Sequence, residues 1–111
     1  MNATPIPPPL DPDFQGWAII ATDQAGRYGF KTVRPGAYPA EEGWTRPPHI
    51  HFKVSRRGYR DITTQMYFEK EPLNDIDRLL QNVPEPQRTA LIARRADERQ
   101  PFRFDVVLAK A

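Results

Sequence analysis

The 111-residue sequence contains no cysteine, only two histidines and six glycines, and no long hydrophobic run. Without cysteine the chain can form neither a disulfide nor a thiolate metal site, and it has no cysteine nucleophile. Its longest apolar stretch is far too short to cross a bilayer, so no membrane partner is predicted. The first ten residues lack the basic segment followed by an apolar one that marks a signal peptide, and a cytoplasmic location is therefore expected.

Charge gives little reason to expect a nucleic-acid partner. The net charge is +2, and the basic residues are scattered along the chain rather than gathered in a long run. A small acidic ligand is compatible with this mildly basic balance.

Proline is the abundant residue, with 13 in the chain. So many prolines argue against a helical bundle and favour a loop-rich β fold. Residues 1–13 are proline-rich and polar and are predicted to form an extended arm. Residues 14–111 carry no linker or internal repeat, so they are predicted to form a single domain.

Alternating and β-branched runs predict about five strands. The clearest covers residues 49–55 (HIHFKVS), and its alternation separates Ile50, Phe52 and Val54 from His49, His51 and Lys53. The other strands are predicted over 17–22 and 27–33, joined by a turn at 23–26, and over 59–68 and 102–108. Residues 34–48 are predicted to form a long loop, 75–81 a helix capped by Asn74, and 85–95 a second helix.

His49 and His51 are the only histidines in the chain. Two residues apart on a strand, both imidazoles point to the same side. Two neutral imidazoles on one face suit Fe, Zn, Cu or Ni. The plainer alternative is a pair of exposed histidines on a solvated face, and the short motif alone does not exclude it.

The segment just before the histidines contains Tyr38 between two prolines and Arg46 ahead of Pro47 and Pro48. Proline restricts the backbone around these positions, as a preorganised site requires. A phenolate is a hard oxygen ligand for trivalent iron, and an arginine lowers the cost of placing anions nearby. Taken singly, Tyr38 could equally be a packing residue and Arg46 a surface cation.

The runs LDPDFQGW, GRYGFKTVRPGAYP and RPPHIHFKVSRRGYRDITTQMYF resemble the intradiol ring-cleavage dioxygenases, and most of all the protocatechuate 3,4-dioxygenase type. The likeness extends from about Leu10 to Phe68, and EPLNDID continues it more loosely. The combination of PG-x-YP, RP-x-HIHF and TTQ-x-YF is far more specific than any one of these motifs. The resemblance implies an all-β fold, an antiparallel β-sandwich with one or two short helices near 74–95.

The resemblance also implies a role for each matching residue. Tyr38 matches the axial tyrosine ligand of a non-haem Fe(III), and His49 and His51 match its two histidine ligands. Arg46 matches the arginine that stabilises negative charge on the substrate ring. Gln65 matches a glutamine behind the site, although an ordinary cross-strand hydrogen-bonding role is equally open. The substrates implied are a catechol-type small molecule and O₂.

One expected ligand has no counterpart here. The family uses a second, equatorial tyrosine on a segment upstream of the one that matches LDPDFQGW, and residues 1–10 contain no tyrosine. The family's first sandwich strands also precede this point, which would leave an open edge for a second copy or a partner chain to cover. Three explanations stay open: a start downstream of that segment, a partner chain that supplies it, or a loss of the chemistry.

Three functions therefore remain possible. The first is intradiol ring opening of a catechol to a muconate-type diacid. The second is an inactive sandwich that serves as a binding or assembly module. The third is a metal-binding domain in which His49, His51 and Tyr38 hold Zn or Cu without oxygen chemistry.

Overall fold

The computed structural model describes residues 18–111, so the predicted arm at 1–13 lies outside the described residues. The described part is mainly β with short helices, which confirms the all-β class. No helix in this part is long and apolar enough to cross a membrane. The elements in chain order are β1 (Tyr38–Glu41), β2 (Trp44–Arg46), β3 (His49–Val54), β4 (Ile62–Phe68), a 3₁₀ helix (Pro72–Ile76), α1 (Arg78–Gln81), α2 (Gln87–Ala90) and β5 (Ile92–Ala93).

The strands form two sheets. β3 and β4 pair in antiparallel fashion, and β5 adds to the other side of β4 in parallel, so the order is β3-β4-β5. β1 and β2 form a separate antiparallel hairpin in which Tyr38 lies opposite Arg46. This hairpin ends two residues before β3 begins, so it delivers its side chains beside the first residues of β3.

The hydrophobic core lies on one face of the three-stranded sheet. It consists of Phe52, Met66, Phe68, Ala93 and Phe104, with Ile50, Val54, Phe102 and Val106 packed against it. The predicted division of β3 is confirmed, because its apolar residues are the ones that enter this core. The histidines consequently lie on the opposite face.

The two strands predicted before residue 34 are wrong over the described residues, where 18–37 contain no strand. The turn between them is confirmed, since Asp23 accepts hydrogen bonds from the backbone of Ala25 and Arg27 and Gly26 has a φ of 78°. Tyr28 and Phe30 both pack on the ring of Phe52, with centroids 6.1 Å away, although both remain partly exposed. Their backbone finds no strand to pair with, so burial of one face alone does not produce a ladder.

The predicted loop at 34–48 contains the β1–β2 hairpin, so a structureless loop was wrong for most of it. The turn at the tip uses Gly43, whose φ of 76° lies in the left-handed region that favours glycine. Strands of four and three residues are too short to show a clear hydrophobic periodicity, so the prolines were the stronger signal in this segment.

The helical predictions were too long. The predicted helix at 75–81 splits into the 3₁₀ helix and α1, and Glu71 and Asp77 cap these, not Asn74. The helix predicted over 85–95 covers only α2, because the next residues join β4 as β5; the amide of Tyr67 donates to the carbonyl of Leu91 over 2.8 Å. Pairing with the sheet overrides local helix propensity here.

The later strand predictions need smaller corrections. The strand predicted over 59–68 begins at Ile62, and residues 102–108 form no regular strand but an isolated bridge between Arg94 and Arg103. Phe104 nevertheless enters the core. Alternate side chains in residues 102–108 thus face the core, although the backbone there does not pair as a regular strand.

The ring of Phe52 packs against the rings of Tyr28, Phe30 and Phe104. We therefore expect Phe52→Ala to lower the free energy of unfolding by about 3–5 kcal/mol. Urea unfolding followed by circular dichroism measures this. Val107→Ala is the control, because Val107 is 86% exposed and should change the value by less than about 0.5 kcal/mol. If Phe52→Ala does not fold, Ile50→Val should still cost about 0.5–1.5 kcal/mol. Equal effects at positions 52 and 107 would contradict the assigned core.

Candidate metal centre

The face of the β3–β4 pair that lies away from the core carries the predicted site residues. The register places His49 opposite Tyr67 and His51 opposite Gln65. The two imidazole centroids are 5.0 Å apart, and the ring of Tyr67 lies 6.0 Å from that of His49. A two-residue period on each strand thus gathers two imidazoles, a phenol and an amide on one surface.

Each histidine has one ring nitrogen that could bind a metal. The Nδ1 of His49 lies 2.8 Å from the carbonyl oxygen of Pro47, so Nδ1 donates a hydrogen bond there. The lone pair of Nε2 then accepts from the Nη1 of Arg46, 3.3 Å away, a contact that a bound metal would replace. The Nε2 of His51 is buried and has no hydrogen-bond partner. A buried unpaired nitrogen is costly, and coordination to a metal would relieve that cost.

The electrostatic environment favours neutral imidazoles, the form that binds metals. Burial is the largest influence on His49 and lowers its pKa. The hydrogen bond to Pro47 opposes this, the charges of Arg46 and His51 lower the pKa further, and Asp77 raises it slightly, so the net shift is downward. Burial and the charge of Arg46 also lower the pKa of His51.

Tyr38 supplies the third donor that the sequence predicts. It lies at the start of β1, and its ring centroid is 5.6 Å from that of His49. Among residues 18–111, no group of three His, Asp or Glu side chains is placed to hold a metal ion. The two imidazoles and the Tyr38 oxygen are donors of the kind that borderline or hard transition-metal ions accept.

Arg46 is 5% exposed and lies at the centre of a buried polar group that we call the arginine cluster: Arg46, Gln65, Tyr67 and Asp77. Its Nε is 2.9 Å from the Oδ1 of Asp77, and its Nη2 is 2.8 Å from the Oε1 of Gln65 and 2.9 Å from the Tyr67 hydroxyl. Its Nη1 lies 3.3 Å from the Nε2 of His49. The guanidinium thus connects the cluster directly to a candidate metal ligand.

Charge pairing keeps the arginine cluster ionised despite its burial. Burial alone would raise the pKa of Asp77, but hydrogen bonds from Arg46, Tyr67 and the backbone of Leu80 outweigh it, so that pKa is lowered. Burial and the neighbouring Asp77 carboxylate raise the pKa of Tyr67, which keeps its phenol protonated. Tyr67 is therefore a hydrogen-bond donor to Asp77 and a poor candidate for a phenolate ligand.

All five predicted site residues come together: Tyr38, Arg46, His49, Gln65 and His51. Gln65 contacts Arg46 rather than standing alone as a cross-strand partner. Sequence reasoning missed Tyr67 and Asp77. Tyr67 shares the two-residue period of Gln65, so alternation could have placed it on this face. Asp77 had no such signal, because it reaches Arg46 from 31 residues away.

Comparisons with known proteins identify the family of this chain. A family model described as "Dioxygenase" matches residues 3–110. The chain belongs to the intradiol ring-cleavage dioxygenases. It is 40% identical to the protocatechuate 3,4-dioxygenase beta chain of Burkholderia cepacia over 90% of its own length and 46% of that chain. It is 37% identical to the alpha chain from the same organism over 84% of its length and 49% of that chain.

A more distant relative is the catechol 1,2-dioxygenase of Candida albicans, 32% identical over 60% of this chain and 26% of that protein. This chain spans about half the length of the Burkholderia chains that it matches. Neither Tyr28 nor Tyr59 offers a second phenolate ligand beside the histidines. The hydroxyl of Tyr28 donates to the carbonyl of Phe104 on the core side, and the backbone of Tyr59 forms an isolated β-bridge with Lys110.

We expect His51→Ala to weaken metal binding by about 100-fold, because it removes one of three protein ligands at about 3 kcal/mol each. The measurement is the affinity for Fe(III), supplied as its citrate complex, in competition with a chelator. Lys53→Ala is the matched control, because Lys53 lies two residues further along the same face of β3 and is exposed. Equal affinities for the two variants would show that β3 does not hold the metal.

Asp77 should also make folding sensitive to acid. Its folded pKa lies below the ordinary 3.8, so its contribution to stability is complete above that value and is lost as the pH falls through the lower folded pKa. As the pH falls below about 4, the free energy of unfolding should therefore drop more steeply in the parent chain than in Asp77→Asn. Urea unfolding at each pH measures this, and Asp61→Asn, at an exposed position, should behave like the parent. Parallel curves for the parent and Asp77→Asn would contradict the pairing.

Proposed function

We propose that this chain carries the metal- and catechol-binding part of an intradiol dioxygenase, with Tyr38, His49 and His51 as ligands of a non-haem Fe(III). The observation that carries the proposal is the unpaired, buried Nε2 of His51, beside a His49 whose Nε2 keeps its lone pair and a neighbouring Tyr38. Membership of the family supports iron as the metal.

The proposed reaction is the O₂-dependent opening of a catechol ring. The bond between the two hydroxylated carbons breaks, and both atoms of O₂ enter the two new carboxyl groups of a muconate-type diacid. Bound Fe(III) would supply Lewis-acid activation of the catechol oxygens. A protocatechuate-like substrate is proposed because the chain resembles both protocatechuate 3,4-dioxygenase chains over most of its length.

The protein groups have separate tasks in this proposal. Pro47 holds the His49 ring through Nδ1, so that Nε2 points away from the backbone towards the site. Tyr38 would hold the metal through its phenolate oxygen, and that oxygen is the group that would accept a proton from a bound catechol. Arg46 presents Nη1 beside His49, where its donors would stabilise negative charge that develops on the ring.

The second candidate is a module that is inactive without another segment. It is favoured by the pairing of Tyr67 with Asp77, because this leaves Tyr38 as the one described tyrosine beside the histidines. A ferric ion held by two imidazoles and one phenolate is short of anionic ligands, so a tyrosine from outside the described residues would complete the set. No described strand pairs with the outer side of β3, which offers an edge for a second copy or a partner chain within a larger β-sandwich.

The test is iron content, visible spectrum and O₂ uptake of the purified chain after loading with Fe(III). We expect stoichiometric iron, a broad visible band from tyrosinate bound to iron, and O₂ consumption with protocatechuate or catechol. Tyr38→Phe should lose the band and the O₂ uptake, whereas Tyr59→Phe, a tyrosine remote from the site, should keep both.

Each other outcome has its own meaning. An iron-loaded chain with the band but without O₂ uptake would favour the incomplete module over the enzyme. Tight binding of Zn or Cu but not iron would favour a metal site without oxygen chemistry. A chain that binds none of these metals would overturn the metal centre itself.

A further inference from the structure

Asp77 is a fully buried carboxylate that the proposed chemistry does not use. It occupies the position before α1, where its Oδ2 accepts from the backbone N–H of Leu80 over 3.0 Å. A helix cap of this kind needs no burial and no charge, since asparagine or serine serves equally well. Complete burial of an ionised group is costly unless it is paired, so the charge at this position calls for a second explanation.

The second explanation is the pair of hydrogen bonds that Asp77 accepts from Arg46. Its two oxygens meet the guanidinium as a fork, with Nε 2.9 Å from Oδ1 and Nη2 3.2 Å from Oδ2. The hydroxyl of Tyr67 donates to the same Oδ2 over 2.8 Å. Two parallel hydrogen bonds from a planar guanidinium fix its orientation as well as its position.

The paired hydrogen bonds to Asp77 determine which nitrogen of the Arg46 guanidinium faces the histidines. The Nε and Nη2 groups are directed to Asp77, Tyr67 and Gln65. Nη1 is left as the edge beside the Nε2 of His49. A rotation of the guanidinium would break the fork, so the direction of Nη1 follows from Asp77.

We propose that Asp77 is a positioning residue, which acts through Arg46 by holding its Nη1 edge towards the substrate space beside His49. The inference rests on the proposed function, because it assigns the residue that orients a group of that same site. Tyr67 supports Asp77 by occupying Oδ2, and Gln65 holds the second Nη2 hydrogen. The arginine cluster thus holds Nη1 in a fixed direction, where it donates to the Nε2 of His49 as long as no metal occupies that nitrogen, while Asp77 balances the charge of Arg46.

A purely structural role for Asp77, as the cap of α1, makes different predictions. Asp77→Asn keeps an oxygen for the Leu80 amide but turns an NH₂ group towards the donors of Arg46, so the cap survives and the fork does not. Glu71→Ala is the matched control, because it removes a similar cap, the 2.8 Å bond to the amide of Leu73, without touching Arg46.

The first measurement is the nitrogen–proton resonance of the Arg46 side chain by NMR on the metal-free chain. In the parent and in Glu71→Ala, the Nε–H of Arg46 should exchange slowly with solvent. In Asp77→Asn, its exchange should become about 10-fold faster or more, since the fork has opened. Unchanged exchange in Asp77→Asn would overturn the proposal, and this readout does not depend on iron or on turnover.

The second measurement is steady-state O₂ uptake with protocatechuate, normalised to bound iron. Asp77→Asn should lower kcat by about 10- to 100-fold, the size of effect seen when a supporting hydrogen-bond partner is lost. Its KM should change by less than about threefold, because the lost interaction belongs to the transition state. Glu71→Ala should keep both values near those of the parent.

A double-mutant cycle with Arg46→Gln separates positioning from structure. If Asp77 acts through Arg46, Asp77→Asn should lower kcat by less than about twofold further once Arg46 has been replaced. Multiplicative losses in the double variant would overturn the proposal. If the parent chain itself consumes no O₂, the proposed function fails, and the NMR result still decides whether Asp77 orients Arg46.

Discussion

The pairing register of β3 and β4 is the constraint on which the rest of the structure depends. It assigns Phe52 and Met66 to the core and, by the same alternation, His49, His51, Gln65 and Tyr67 to the opposite face. A slip of one residue would exchange the faces, burying the imidazoles and exposing the apolar side chains. The energy of core packing therefore also maintains the arrangement of the candidate ligands, although no core residue touches them through hydrogen bonds.

The arginine cluster adds a connection that the sheet alone lacks. Arg46 belongs to the β1–β2 hairpin, Gln65 and Tyr67 to β4, and Asp77 to the end of the 3₁₀ helix, so four side chains join three separate elements. Such a buried network stabilises its surroundings only while every member is satisfied. Removal of one member would leave others unpaired, and Asp77 connects the hairpin that carries Tyr38 to a segment 31 residues further along the chain than Arg46.

Sequence alone predicted the part of this arrangement that local pattern encodes. The two faces of β3 followed from alternation, and the roles proposed for Tyr38 and Arg46 came from the resemblance rather than from periodicity. The short hairpin, β5 and the missing pairing of residues 18–37 were not predictable, because they depend on which backbone lies next to them in space. Asp77 was not predicted for the same reason, because tertiary packing decides which of the 14 acidic residues pairs with a buried arginine.

The two prolines between Arg46 and His49 give the site a property that belongs to the unfolded chain. Pro47 and Pro48 are buried, and the carbonyl of Pro47 also accepts a hydrogen bond from the Nδ1 of His49. Because their rings restrict the backbone before folding begins, this two-residue connection loses less conformational entropy on folding than one without proline would. The covalent geometry of the two prolines thus largely sets the spacing between the guanidinium of Arg46 and the imidazole of His49, before the folded protein makes any contact.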